Sequence, residues 1–160
     1  MSTTPDGRAL KTQRTFSMEC AVATNVRAPA ATIWRLLTDA ADFPRWNSTV
    51  KSVQGDIALG SRLALVATVA PDRTFKPRVS ELEPEKRMVW SDGFAPMFKG
   101  VRTFTLAARD DGSTDFSMVE VFSGLMLPMI KGSLPDFGPP FERYAADLKA
   151  EAERGAKEGK

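Results

Sequence analysis

The sequence has no histidine, a single cysteine (Cys20) and a single tyrosine (Tyr144). Without histidine there is no imidazole base, no histidine-supported nucleophile and no histidine metal ligand. One cysteine excludes an intrachain disulfide and, with histidine absent, a zinc site of the Cys/His kind. An excess of one charge is also missing: 22 basic residues face 20 acidic ones, a formal net charge of +2. The basic residues are scattered rather than gathered into a stripe, which argues against a dedicated nucleic-acid binder. Long apolar runs are absent too. The longest, residues 125–130, is too short to cross a bilayer.

Several familiar motifs fail on inspection. Residues 1–15 are polar, with Arg8, Lys11 and Arg14, and carry no apolar segment of the secretory kind. A cytoplasmic protein is therefore expected, and Asn47-Ser48-Thr49 is a chance match to a glycosylation acceptor. No glycine-rich phosphate loop is present. Ser48-Thr49-Val50-Lys51 fits a Ser-x-x-Lys pattern without its companion motifs. Asp110-Asp111-Gly112 suits a hairpin turn, not a calcium loop. No metal or other cofactor is expected.

What is present fits one globular domain of 160 residues, 42% hydrophobic and 26% charged. Residues 1–15 are expected to form a disordered leader, 16–154 the domain, and 155–160 a frayed tail. Residues 16–27 suit a strand. Pro29 is well placed to open a helix carrying Ile33, Leu36, Leu37 and Ala40. Asp42-Phe43-Pro44 then starts a second short helix ending at Trp46. Strand and turn signals follow, with candidate strands at 51–57, 62–69, 74–82, 87–91, 100–108 and 114–122. Phe137, Phe141, Tyr144, Ala145, Leu148 and Ala152 form one stripe of a long final helix starting near Gly138. This order predicts an α+β fold, with helices gathered on one face of an antiparallel sheet.

Alternation along 114–122 puts Phe116, Met118, Glu120 and Phe122 on one face. Arg102, Phe104 and Leu106 share a face of the preceding strand. With Phe104 opposite Met118, Arg102 falls opposite Glu120. Two readings stand for this pair: a structural ion pair, or the polar end of a ligand pocket. Trp90, Phe75, Val79, Phe104, Met118 and Phe116 are core residues, pocket wall, or both. Phe141 and Tyr144 face inward from the last helix, and the phenol needs a hydrogen-bond partner. The Met-rich segment 125–130 is either a lid or portal, or is simply buried under the final helix. As a portal it would use Leu125, Met126 and Met129, with Phe94, Met97 and Phe98 as the facing lip.

Several phrases together resemble the START/Bet v 1-like superfamily, in particular its polyketide cyclase/dehydrase-like branch. They are Ala28-Pro29 leading to Ile33-Trp34-Arg35-Leu36-Leu37-Thr38-Asp39, then Phe43-Pro44-Arg45-Trp46-Asn47 and Gly60-Ser61-Arg62. Val79 through Glu83-Pro84, Met88-Val89-Trp90, Phe104-Thr105-Leu106 and Glu120-Val121-Phe122-Ser123-Gly124 follow in order. The resemblance implies a helix-grip fold, in which a sheet of about seven strands curls around the final helix and leaves a cavity. It supplies no catalytic residue. The sequence departs from the pattern after Gly124, where Pro128, Gly132, Pro135, Gly138, Pro139 and Pro140 interrupt any continuous helix.

The leading expectation is a binding or carrier protein for a small hydrophobic molecule of lipid, polyketide or aromatic type. A cyclase or dehydratase acting on a polyketide-like substrate is an alternative, as is a co-chaperone-like interaction module. Neither nucleic acid nor an integral membrane association is expected. Monomer and homodimer both remain open.

Overall fold

The computed structural model describes residues 6–159, apart from the side chains of Phe94 and of residues 156–159. Strands β1 (Leu10–Gln13) and β2 (Ser17–Val26) lead into helix α1 (Ala30–Thr38). A 3-10 turn at Ala40–Asp42 connects to α2 (Phe43–Trp46). Six more strands follow: β3 (Val50–Gln54), β4 (Ala64–Ala67), β5 (Arg78–Glu83), β6 (Arg87–Phe94), β7 (Phe98–Ala108) and β8 (Thr114–Ser123). Short helix α3 (Leu127–Ile130) and a 3-10 turn at Lys131–Ser133 precede the long helix α4 (Gly138–Gly159).

The sheet is antiparallel and curved. Six strands pair in the order β1-β2-β8-β7-β6-β5, and β3-β4 form a separate hairpin. About seven strands in one sheet were expected, so the hairpin is a departure. It is not isolated, however. Leu65 and Phe75 exchange backbone hydrogen bonds of 2.7 and 2.8 Å, so the β4 side extends the wall beyond β5. The turn at Asp111-Gly112 forms as expected, with Gly112 at φ 88°.

Four rows of side chains cross the concave face, fixed by strand register. The deepest is Thr24, Phe116 and Leu106. Next come Val22, Met118, Phe104 and Met88. The third is Cys20, Glu120, Arg102, Trp90 and Val79. The fourth is Met18, Phe122, Gly100 and Asp92. Against this face lies the apolar stripe of α4, with Phe141, Tyr144, Ala145, Leu148 and Ala152 all buried. Each large side chain removed from water in this way stabilises the fold by about 1.5–3 kcal/mol. Helix α1 adds Ile33, Leu36 and Leu37 to the same core.

Two ends of the chain depart from expectation. Residues 1–5 of the expected disordered leader lie outside the described residues, but residues 10–13 form β1, an edge strand pairing Leu10 with Ala21 and Gln13 with Met18. All four of its side chains are exposed, so no apolar alternation signals it. Its backbone ladder and two ion pairs hold it instead: Arg8 to Glu142 at 3.2 Å and Lys11 to Asp136 at 2.8 Å. At the other end, α4 continues to Gly159 instead of fraying from Gly155.

Candidate ligand-binding cavity

A cavity of about 210 Å³ lies between the third and fourth rows of the sheet and the start of α4. Its position follows from the sequence. Proline-rich residues 134–140 delay the helix, so the outer rows have only its first turns above them. Phe137, Pro140, Phe141 and Tyr144 form the helix side, while Leu65, Ala67 and Val69 close the hairpin side. Gly100 carries no side chain where its row meets Phe122, and that gap forms part of the cavity.

The polar end is built by adjacent strands. Arg102 on β7 and Glu120 on β8 are cross-strand partners, and the Arg102 Nε donates to Glu120 Oε1 at 2.6 Å. Their side chains are only 16% and 11% exposed. The Arg102 guanidinium also lies 5.1 Å from the centroid of the Phe141 ring, a cation–π contact from sheet to helix. Beside Glu120 in the same row, Cys20 is buried, and burial pushes its thiol up to about 11, so it stays protonated at neutral pH.

Burial likewise holds the Tyr144 phenol well above its ordinary range, with Arg102 opposing the shift. The Tyr144 hydroxyl therefore stays neutral and can donate a hydrogen bond. It has no partner among the described residues, and neither does the Trp90 Nε1. Close behind, Trp46 Nε1 and Asn47 Nδ2 are also unpartnered. Trp46 meets Tyr144 edge-on at 6.0 Å between ring centroids. All four atoms can donate a hydrogen bond. Buried donors without acceptors are rare in folded proteins because each carries its full desolvation penalty.

The structure brings together Glu120, Arg102, Trp90, Phe75, Tyr144 and Phe141 around the cavity, with Phe98 in its wall. Phe104, Met118, Phe116 and Val79 do not line it; they are solid core. They share the concave face, but Phe104, Met118 and Phe116 sit deeper along the strands, where α4 fills the space completely. Val79 lies at the far end of the third row, beyond Trp90. Met97, Leu125, Met126 and Met129 do not line it either. Gly124 turns the chain outward at φ 132°, and α3 buries only Leu127. The Phe94 side chain lies outside the described residues.

Phe122, Phe137, Leu134 and Gly100 also line the cavity; alternation and helical spacing put Phe122 and Phe137 on inward faces, whereas nothing in the sequence marked Leu134 or Gly100. Phe122 carried the signal, since it alternates with Glu120. It stacks on Phe98 at 5.8 Å and on Phe137 at 5.3 Å.

Gly100 allows a direct test of the cavity. A Cβ there would lie 3.1 Å from the Phe122 ring and 3.3 Å from Glu120 Oε2. The Gly100→Ala variant is expected to fold with stability within about 1 kcal/mol of wild type, since its neighbours need give only slightly. It should lose ligand affinity severalfold by filling the outer row. Unchanged affinity of a bound aromatic probe, measured by calorimetry, would show that this row does not contact ligand.

No curated protein matches the sequence significantly. Solved structures do share the fold. A START superfamily protein from Mycobacterium smegmatis aligns with a TM-score of 0.63 at 19% identity, covering 85% of this chain and 97% of that one. A norcoclaurine synthase point mutant from Thalictrum flavum, in complex with a transition-state analogue, aligns at 0.66 with 13% identity, covering 89% and 98%. A hypothetical protein from Helicobacter pylori aligns at 0.66 with 12% identity, covering 82% and 86%. These neighbours share the helix-grip fold of this chain. The model of the polyketide cyclase / dehydrase and lipid transport family matches residues 17–156, and the chain belongs to that family.

Proposed function

We propose that this protein binds or carries a small hydrophobic molecule in the cavity, with Arg102 and Glu120 as its polar end. Trp90, Phe75, Phe141 and Tyr144 would form the surrounding wall. The observation carrying this reading is an apolar cavity with one largely buried ion pair, lined by Trp90 and Tyr144, whose buried donor atoms have no partner among the described residues. Size narrows the ligand. A cavity of about 150 Å³ takes a benzene ring, so about 210 Å³ suits one substituted or fused ring system rather than a two-chain lipid. Donor chemistry narrows it further. The Trp90 N–H and Tyr144 O–H favour a ring that presents an acceptor oxygen, as an aryl ketone does.

Acetophenone and ethylbenzene, titrated by NMR, test this reading. They match in size and differ in the acceptor oxygen. The ketone is expected to bind about tenfold more tightly, as a hydrogen bond to an otherwise unpaired donor allows. Tyr144→Phe should remove most of that preference while leaving ethylbenzene binding intact. Equal binding of the two would overturn the acceptor assignment alone, whereas failure of both to perturb cavity resonances would overturn the cavity as a binding site.

A further inference from the structure

The outer end of the molecule carries apolar side chains that nothing covers. Met129 is 79% exposed, Leu125 57%, Phe16 51% and Met97 38%. Backbone hydrogen bonds gather their segments into one surface. Gly124 N donates to the Phe16 carbonyl at 3.0 Å, Leu125 N to Pro96 at 2.9 Å and Met126 N to Met97 at 3.0 Å. Solvent-exposed apolar residues scattered singly are ordinary, but neighbouring ones on adjoining loops mark an interaction surface.

Charge on these loops is of one sign. Segments 14–17, 93–99 and 124–134 contain Arg14, Lys99 and Lys131 and no acidic residue. This contrasts with the near balance of the whole chain, 22 basic to 20 acidic. Among the described residues, none of the three cations forms an ion pair, and the Lys131 Nζ donates only to the Arg14 backbone carbonyl at 3.0 Å. The same surface borders the cavity, because Phe98 and Leu134, next to Met97 and the Lys131–Ser133 turn, both line it.

The geometry points to a docking surface for an anionic lipid bilayer, with Phe16, Met97, Leu125 and Met129 entering the interface and Arg14, Lys99 and Lys131 meeting lipid phosphates. Apolar tips with cations on the same segments match the two layers of such an interface: acyl chains below, negative headgroups above. An acidic protein partner would satisfy the cations, but water-exposed methionine and leucine tips on separate loops suit a soft medium better than a shaped groove. No helix among the described residues is long and apolar enough to cross a membrane, so docking is peripheral. It would set the edge of the cavity against the bilayer, where apolar molecules partition.

Vesicle flotation tests this with two compositions, phosphatidylcholine alone and phosphatidylcholine mixed with phosphatidylglycerol. The protein is expected to float with the anionic vesicles, to float weakly with the neutral ones, and to be released by high salt. Met129→Asp and Leu125→Asp should each weaken anionic binding about tenfold, the loss expected when one side chain of that size no longer enters the interface. Both sites are exposed, so the variants should keep the wild-type melting temperature. No flotation with anionic vesicles, or flotation unchanged by Met129→Asp, would overturn the proposal. A dimer seen by sedimentation without vesicles and dissociated by Met129→Asp would overturn it too, assigning the surface to a second copy of the chain.

Discussion

Phe104→Ala is expected to destabilise the protein by about 3–5 kcal/mol, the largest effect of any single side-chain truncation considered. Phe104 is fully buried in the second row, between Met118 and Met88. Its ring lies 5.1 Å from Trp90 and 6.3 Å from Tyr144, so it joins the sheet to α4. Removing it costs the transfer of the ring and leaves a void that such a packed layer cannot close. Phe122→Ala, two rows further out and only half-buried at the cavity wall, should cost markedly less. Urea unfolding of both variants gives the comparison. Equal losses would mean that the cavity reaches down to the second row.

The second large effect is electrostatic. Glu120→Leu leaves the Arg102 cation largely out of water with no anion beside it, which should cost about 3 kcal/mol. Adding Arg102→Met should recover most of this loss, because replacing both partners removes the uncompensated charge. Denaturant titration of the two single variants and the double variant measures the coupling. A cost below about 1 kcal/mol for Glu120→Leu would mark the pair as an ordinary solvated one. Ligand binding should respond differently: Glu120→Gln keeps the shape of the site while weakening the hold on Arg102, so a polar-end role predicts weaker probe binding in a still folded protein.

Much of this arrangement was legible from residue alternation. Phe116, Met118, Glu120 and Phe122 on one strand and Arg102, Phe104 and Leu106 on the next suffice to set the Arg102–Glu120 register, which the structure has. Alternation identifies a face but not a depth. Whether a residue on that face is core or cavity wall depends on where α4 starts, and six prolines and glycines after Gly124 made that start irregular. Phe104 and Trp90 therefore looked equivalent, although only Trp90 lines the cavity. Strand β1 was invisible for another reason. Leu10-Lys11-Thr12-Gln13 is held by backbone pairing at an edge, which leaves no hydrophobic pattern. The outward turn at Gly124 was equally hidden, since a positive φ is a property of the folded loop.

The pairing of β2 with β8 has a consequence for how the protein is made. Residues 17–26 find their partners at 114–123, and the concave face then waits for α4 to cover it. On the ribosome, strands β2 to β7 emerge with their apolar rows unprotected and with β2 lacking its partner β8. Such long-range pairing is slow, and the exposed intermediates are prone to associate. Release of α4 from the exit tunnel becomes the committing event for the whole fold, so a nascent chain stalled before residue 138 should depend on chaperones that shield apolar surface.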